Sequence, residues 1–211
     1  MKKVIIITGA SSGIGKSIGN YLTEKGHIVY GTSRKPEKYP KSEFTLVKSD
    51  INKKNYILDL VNYVTTNEGK IDVLINNAGI GYTGPVEESR IEDIESLFST
   101  NFFGPIEMIK NTLPVMRKNN SGLIINITSI AGYIGLPFRG IFCASKSALE
   151  ILTESLRSEI KDYGIKVVNV APGDVKTDVV SRRIDSFNDQ NAIYFKKYST
   201  PRKSMTEAVE I

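Results

Sequence analysis

A run of four apolar residues, Val4-Ile5-Ile6-Ile7, is cut off by Thr8-Gly9-Ala10-Ser11-Ser12-Gly13-Ile14-Gly15, and a stretch of helical period follows at once. Strand, glycine-rich turn and helix in immediate succession form the opening of a βαβ unit. The alternation continues along the chain. Strands are predicted at Val4–Thr8, Ile28–Thr32, Phe44–Lys48, Val73–Asn76, Leu123–Thr128 and Val167–Ala171. Helices are predicted at Ile14–Lys25, Lys53–Thr66, Ile91–Met116 and Ile141–Tyr163. Several strands carry Ile and Val on both faces, as strands covered on both sides do. Right-handed crossovers then leave an α/β fold, a doubly wound parallel sheet of about six strands with helices on both faces. Ser89-Arg90-Ile91-Glu92 reads as a capping box for the third helix, in which Pro105 predicts a bend and Pro114 an end.

The chain of 211 residues is read as one domain, 1–211, with no repeat or linker to divide it. From Ser181 the periodicity weakens, so residues 181–211 are read either as a substrate lid or as a loosely ordered tail. No apolar run approaches the roughly 18 residues of a membrane span, and no membrane partner is expected. The single cysteine, Cys143, excludes an internal disulfide and fits a reducing, cytoplasmic location. The single histidine, His27, follows Gly26 at the N-terminal end of the second strand. Ligand sites in open α/β sheets form at the opposite ends, so His27 is expected in a turn. One His and one Cys cannot supply a zinc site, and no metal is expected. The net charge of +5 suits either an anionic ligand, such as a phosphorylated cofactor, or scattered solvated lysines. Lys196-Lys197 and Arg202-Lys203 lack aromatic interleaving, so no nucleic-acid partner is expected.

The glycine turn admits three readings. Gly9, Gly13 and Gly15 let the backbone turn tightly and approach a pyrophosphate at the start of a helix, although the spacing is Gly-x-x-x-Gly-x-Gly. Gly9-Ala10-Ser11-Ser12-Gly13 also matches a nucleophile elbow, but a hydrolase needs a histidine late in the chain, and His27 is early. Gly15-Lys16-Ser17 ends like a P-loop, but Ala10 stands where the first glycine belongs. The dinucleotide reading survives best. At the end of the second strand, Thr32-Ser33-Arg34-Lys35 offers no acid for a ribose 2′-hydroxyl, while Arg34 suits a 2′-phosphate. NADP is therefore favoured over NAD.

Further motifs follow in order: Asn76-Asn77-Ala78-Gly79, Asn101 in Asn-Phe-Phe-Gly, Ser129, Ser145-Lys146, and Pro172-Gly173 with Thr177. With the glycine turn, they resemble the short-chain dehydrogenase/reductase family from Thr8 to Thr177. The resemblance implies a Rossmann-like fold and hydride transfer between a nicotinamide cofactor and a small alcohol or carbonyl substrate. It implies catalytic roles for Asn101, Ser129 and Lys146: the asparagine braces the lysine through water, the serine holds the substrate oxygen, and the lysine holds the nicotinamide ribose. Cofactor contacts are implied for Gly9, Ser11, Ser12, Gly13, Ile14, Gly15, Ser33, Arg34, Asp50, Ile51, Asn77, Ala78, Gly79, Lys146, Pro172, Gly173, Val175 and Thr177. Family members also continue further, so the C-terminal end is expected to be incomplete. Association as a homodimer or homotetramer is expected by the same analogy.

One departure stands out. The family's proton-transferring tyrosine lies four residues before the lysine, and this chain has Phe142 there. A phenyl ring has no proton to transfer. Three explanations stay open: a substitution introduced to stop turnover, a nucleotide-binding regulatory or scaffold protein, or another hydroxyl in its place, from Tyr133, Tyr82 or Tyr194.

Overall fold

The computed structural model describes residues 1–39, 42–175, 183–186 and 193–194. Its main sheet has six parallel strands: β1 (Val4–Ile7), β2 (Ile28–Ser33), β3 (Thr45–Lys48), β4 (Val73–Asn76), β6 (Gly122–Ile127) and β7 (Ile165–Val170), in the order β3-β2-β1-β4-β6-β7. A small second sheet pairs β5 (Tyr82–Thr83) with β8 (Ile184–Asp185), also in parallel. Two residues per strand carry no readable alternation, and these strands are absent from the sequence prediction. The long helices are α1 (Gly13–Glu24), α2 (Lys54–Glu68), α3 (Ile91–Phe98), α4 (Gly104–Lys118) and α5 (Gly140–Ile160).

The apolar strands explain the layering. Alternate residues of β1 enter different cores: Val4 and Ile6 pack with Ile57, Leu60 and Val64 of α2 and Met108 of α4. Ile5 and Ile7 pack with Val29, Phe44 and Ile75, against Ile18 and Leu22 of α1. The sheet is thus buried on both faces, and only the strand ends remain for a ligand. The order reverses between β1 and β4, and ligands of open α/β sheets bind at such a switch point. His27 lies at the other end, where its Nδ1 accepts from the Lys3 N–H at 3.2 Å.

The third predicted helix needs correction. Residues 91–118 are continuously helical, but Ser99–Phe103 form a π turn between α3 and α4. Pro105 sits in the first turn of α4, where an N–H is not needed. Pro114 does not end α4; it lies on the exposed face, where water can serve the Lys110 carbonyl that the ring leaves without a donor. The capping box does not form either. Arg90 is the N-cap and its side chain makes no capping bond, and the Ser89 hydroxyl donates to the Pro85 carbonyl at 2.7 Å.

Candidate active site

At the C-terminal ends of the strands, the glycine turn is locked to the Asn-Asn-Ala-Gly segment. Thr8 Oγ1 accepts from the N–H groups of Asn77 and Ala78, both at 3.0 Å, and Asn77 Nδ2 donates to the carbonyls of Thr8 and Gly9 at 2.9 and 3.1 Å. Gly9 has φ +66°, and a Cβ there would lie 2.9 Å from the Ala78 Cα. Only glycine satisfies both the turn and this approach. Gly13 has φ +55° and opens α1, whose first turn has no side-chain cap and no acidic residue. That leaves the N–H groups and positive dipole end of α1 for an anion.

Beside β2, Ser33 is buried and its Oγ accepts from the Lys35 N–H at 3.2 Å, while Arg34 is exposed. A cavity of about 150 Å³ opens there, bounded by Arg34, Lys48, Ser49, Asp50, Lys53 and Tyr56. Asp50 Oδ1 accepts from the Asn52 N–H at 3.1 Å. Ile51 packs over Gly104, where a Cβ would come within 3.1 Å of the Ile51 carbonyl oxygen.

The π turn positions Asn101. Its Oδ1 accepts from the Ile80 N–H at 2.9 Å, and its Nδ2 donates to the Ile80 carbonyl at 3.0 Å and to Ser145 Oγ at 3.1 Å. Ser145 in turn donates to the Phe142 carbonyl at 2.8 Å. Asn101 therefore clamps the chain after Gly79 and reaches the residue next to Lys146. A Cβ on Gly79 would stand 3.3 Å from Asn101 Oδ1 and 3.6 Å from Lys146 Nζ, so these three positions meet.

Lys146 is buried, and its ammonium donates to the Ile127 carbonyl at 2.9 Å. Burial pushes it down to about 8, with the Glu150 carboxylate one turn away opposing. Ser129 lies beyond β6, where its Oγ accepts from the Ala131 N–H at 3.2 Å, and no acceptor for its own proton is found among the described residues. Phe142 sits one turn before Lys146 on α5, buried with Tyr82, Leu97, Ala131 and Cys143. The Arg139 guanidinium stands 4.9 Å from its ring centroid. Pro172 accepts from the Ile130 N–H at 3.1 Å, next to Ser129, and Gly173 faces the Ile130 side chain. Val175 is exposed nearby in sequence, and Thr177 lies outside the described residues.

The sequence model of the short chain dehydrogenase family matches residues 3–186. The chain belongs to that family. As a short-chain dehydrogenase it is an NAD(P)-dependent oxidoreductase on a nucleotide-binding Rossmann fold. It is 44% identical over 194 residues to a 3-ketodihydrosphingosine reductase of Bacteroides thetaiotaomicron, covering 91% of this chain and 71% of that protein. A short-chain dehydrogenase from Streptomyces avermitilis superposes with a TM-score of 0.87 at 32% identity, covering 98% of this chain and 78% of the other. ElxO with NADP bound gives 0.79 at 32% identity over 86% of this chain and 77% of its own.

Beneath the candidate site of this dehydrogenase, Asn76 of the Asn-Asn-Ala-Gly motif is bonded to residues that the motifs did not announce. Asn76 Nδ2 donates to Asn126 Oδ1 at 2.9 Å, and Asn126 Nδ2 donates to Thr153 Oγ1 at 2.8 Å. Glu150 Oε2 accepts from the Tyr133 hydroxyl at 2.8 Å and from Asn169 Nδ2. The available signal was the i+4 step from Lys146 to Glu150, a buried-face spacing on α5. Among the described residues no cluster fit for a metal is found, and no helix is long and apolar enough to cross a membrane.

Proposed function

We propose that this chain is an NADP-preferring reductase of apolar carbonyl compounds, slowed at the proton-transfer step by Phe142. The observation that carries the reading is Lys146. A buried ammonium with one carbonyl partner, beside Gly79 and Asn101 and one turn from Phe142, is costly as architecture. It is useful as a donor to ligand hydroxyls.

The residues fit the cofactor. The uncapped first turn of α1 offers N–H groups to a pyrophosphate, and the cations Arg34, Lys48 and Lys53 around the β2–β3 cavity suit a 2′-phosphate. The cofactor, when bound, supplies or takes the hydride. Lys146 is assigned to the nicotinamide ribose and Ser129 to the substrate oxygen. Asn101 acts as a positioning residue through Ile80 and Ser145. Ser11, Ser12, Ile14, Ala78, Gly173, Val175 and Thr177 are assigned to the cofactor by their place in the motifs.

Ile130, beside Ser129, and Val86, Ile134 and Val175 are exposed apolar side chains in the segments that flank the site. With the name of the reductase at 44% identity, they favour a ketone carried on a long apolar chain. Assembly as a homodimer or homotetramer through the helices predicted at Ile91–Met116 and Ile141–Tyr163 belongs to the same reading, since Phe103 in the π turn and Ile151 in α5 leave apolar surface exposed.

The test is NADPH consumption against a carbonyl panel, by this chain and by Phe142→Tyr, with binding measured for both. The tyrosine form is expected to turn over about 10²–10⁴-fold faster at similar cofactor affinity. Equal rates would remove position 142 from proton transfer. Binding by both with turnover by neither would favour a nucleotide-binding regulatory protein, the reading that Phe142 itself recommends.

A further inference from the structure

We infer that Tyr82 donates the proton that position 142 cannot, sustaining residual carbonyl reduction; the inference rests on the reductase reading above.

Three tyrosines were candidates for a replacement hydroxyl, and two are already engaged. The Tyr133 hydroxyl donates to Glu150 Oε2 at 2.8 Å, two turns beyond Phe142 along α5. At about 1.5 Å rise per residue, that acceptor lies roughly 12 Å from position 142 along the helix axis. The Tyr194 hydroxyl donates to Glu87 Oε2 at 2.7 Å. Tyr82 differs from both. It is 1% exposed, and its hydroxyl is buried without a partner among the described residues.

Its placement is tied to the site at each side. Tyr82 follows two residues after Ile80, whose N–H and carbonyl are both held by Asn101. Its ring shares one buried cluster with Phe142 and Ala131, and the Ala131 N–H donates to Ser129 Oγ. On the other side the strand Ile184–Asp185 pairs with it, the Ile184 N–H donating to the Gly81 carbonyl at 2.9 Å. Tyr82 thus belongs to the same packing unit as the serine segment and the helical turn that lacks a hydroxyl.

A partnerless phenol in an apolar cluster is unfavourable, and phenylalanine would fill the same space without that cost. What the hydroxyl lacks is an acceptor, and a substrate oxygen entering beside Ser129 and Phe142 is one. When bound, the nicotinamide cofactor would supply hydride to the carbonyl carbon, and the C=O π pair would pass to oxygen. The new O–H bond forms as the Tyr82 O–H bond breaks, and the buried tyrosinate recovers its proton from water admitted when the product leaves. Ser129 keeps its proton and donates a hydrogen bond to the same oxygen.

Four chains decide the matter: the protein itself, Tyr82→Phe, Phe142→Tyr and the double variant, each assayed for NADPH-dependent reduction of a ketone accepted by Phe142→Tyr. Tyr82→Phe is expected to lower the residual kcat of the Phe142 form by about 100-fold or more. In the Phe142→Tyr background the fold-loss should be at least ten times smaller, because the hydroxyl restored at position 142 then carries the proton transfer. Thermal melts check folding, and Tyr82→Phe should melt no lower than its parent. Equal fold-losses in the two backgrounds would show a packing role and overturn the inference. So would a Phe142 form with no residual turnover while Phe142→Tyr is active. Silence from all four chains with NADPH bound would instead overturn the reductase reading, and this inference with it.

Discussion

Replacing Lys146 with methionine isolates the cost of burying an ammonium at the centre of the site. The side chain is similar in length and loses its charge. Burial holds the folded ammonium near 8 rather than the ordinary 10.5, so the unfolded chain binds its proton more tightly than the folded one does. Below pH 8 both states are protonated, and the folded state bears the full penalty, on the order of 3 kcal/mol at about 1.4 kcal/mol per pKa unit. As pH rises through the folded value the penalty fades, and it is gone above 10.5. Methionine removes the penalty but leaves the Ile127 carbonyl without its donor, costing about 1–3 kcal/mol. The balance predicts a variant as stable as its parent or up to about 2 kcal/mol more stable at pH 7. Between pH 7 and 9.5 the parent should gain about 2 kcal/mol on the variant. Urea melts of both chains at the two pH values measure this, since groups common to both cancel in the difference. A stability difference constant to within about 0.5 kcal/mol across that range would refute the desolvated ammonium.

Arg34→Ala is expected to weaken NADPH binding by about 10–100-fold while changing NADH binding less than about threefold, by fluorescence titration; equal losses would remove Arg34 from the 2′-phosphate. Asn101→Ala leaves the Ile80 N–H and carbonyl without their side-chain partners and should cost about 2–4 kcal/mol in urea melts, with faster amide exchange at Ile80 as its local signature.

The sheet was legible because its strands are apolar on both faces. Val73–Asn76 was predicted to the residue, and most other boundaries shifted by only one or two. The glycine turn and the Asn-Asn-Ala-Gly segment were legible as motifs, and the structure joins them through Thr8 Oγ1. Other features were hidden for physical reasons. A π turn adds no distinctive residue to a helical pattern, so Ser99–Phe103 read as ordinary helix. The Ser89 hydroxyl donates to the nearby Pro85 carbonyl, and its oxygen does not accept from the N–H groups that open α3. Tyr82 read only as one of three tyrosines that could stand in for position 142, because the want of a partner for a hydroxyl is a property of packing.

The underside of α5 shows why the site can keep its frame with Phe142 in place. Parallel register sets Asn76, Asn126 and Asn169 side by side across β4, β6 and β7, a polar row that no single strand reveals. Opposite that row α5 presents Lys146, Glu150 and Thr153, all buried where a packed helix would ordinarily place leucine. Each is tied to the strands: Lys146 to Ile127, Glu150 to Asn169 and Thr153 to Asn126. Such bonds set the rotation and axial position of a helix more narrowly than apolar contacts, because hydrogen bonds weaken steeply with angle. None of the three uses the side chain at 142. The ring of Phe142 is held by its own apolar cluster, so exchanging phenylalanine and tyrosine there changes the chemistry available and leaves the placement of Lys146 to the bonds beneath it.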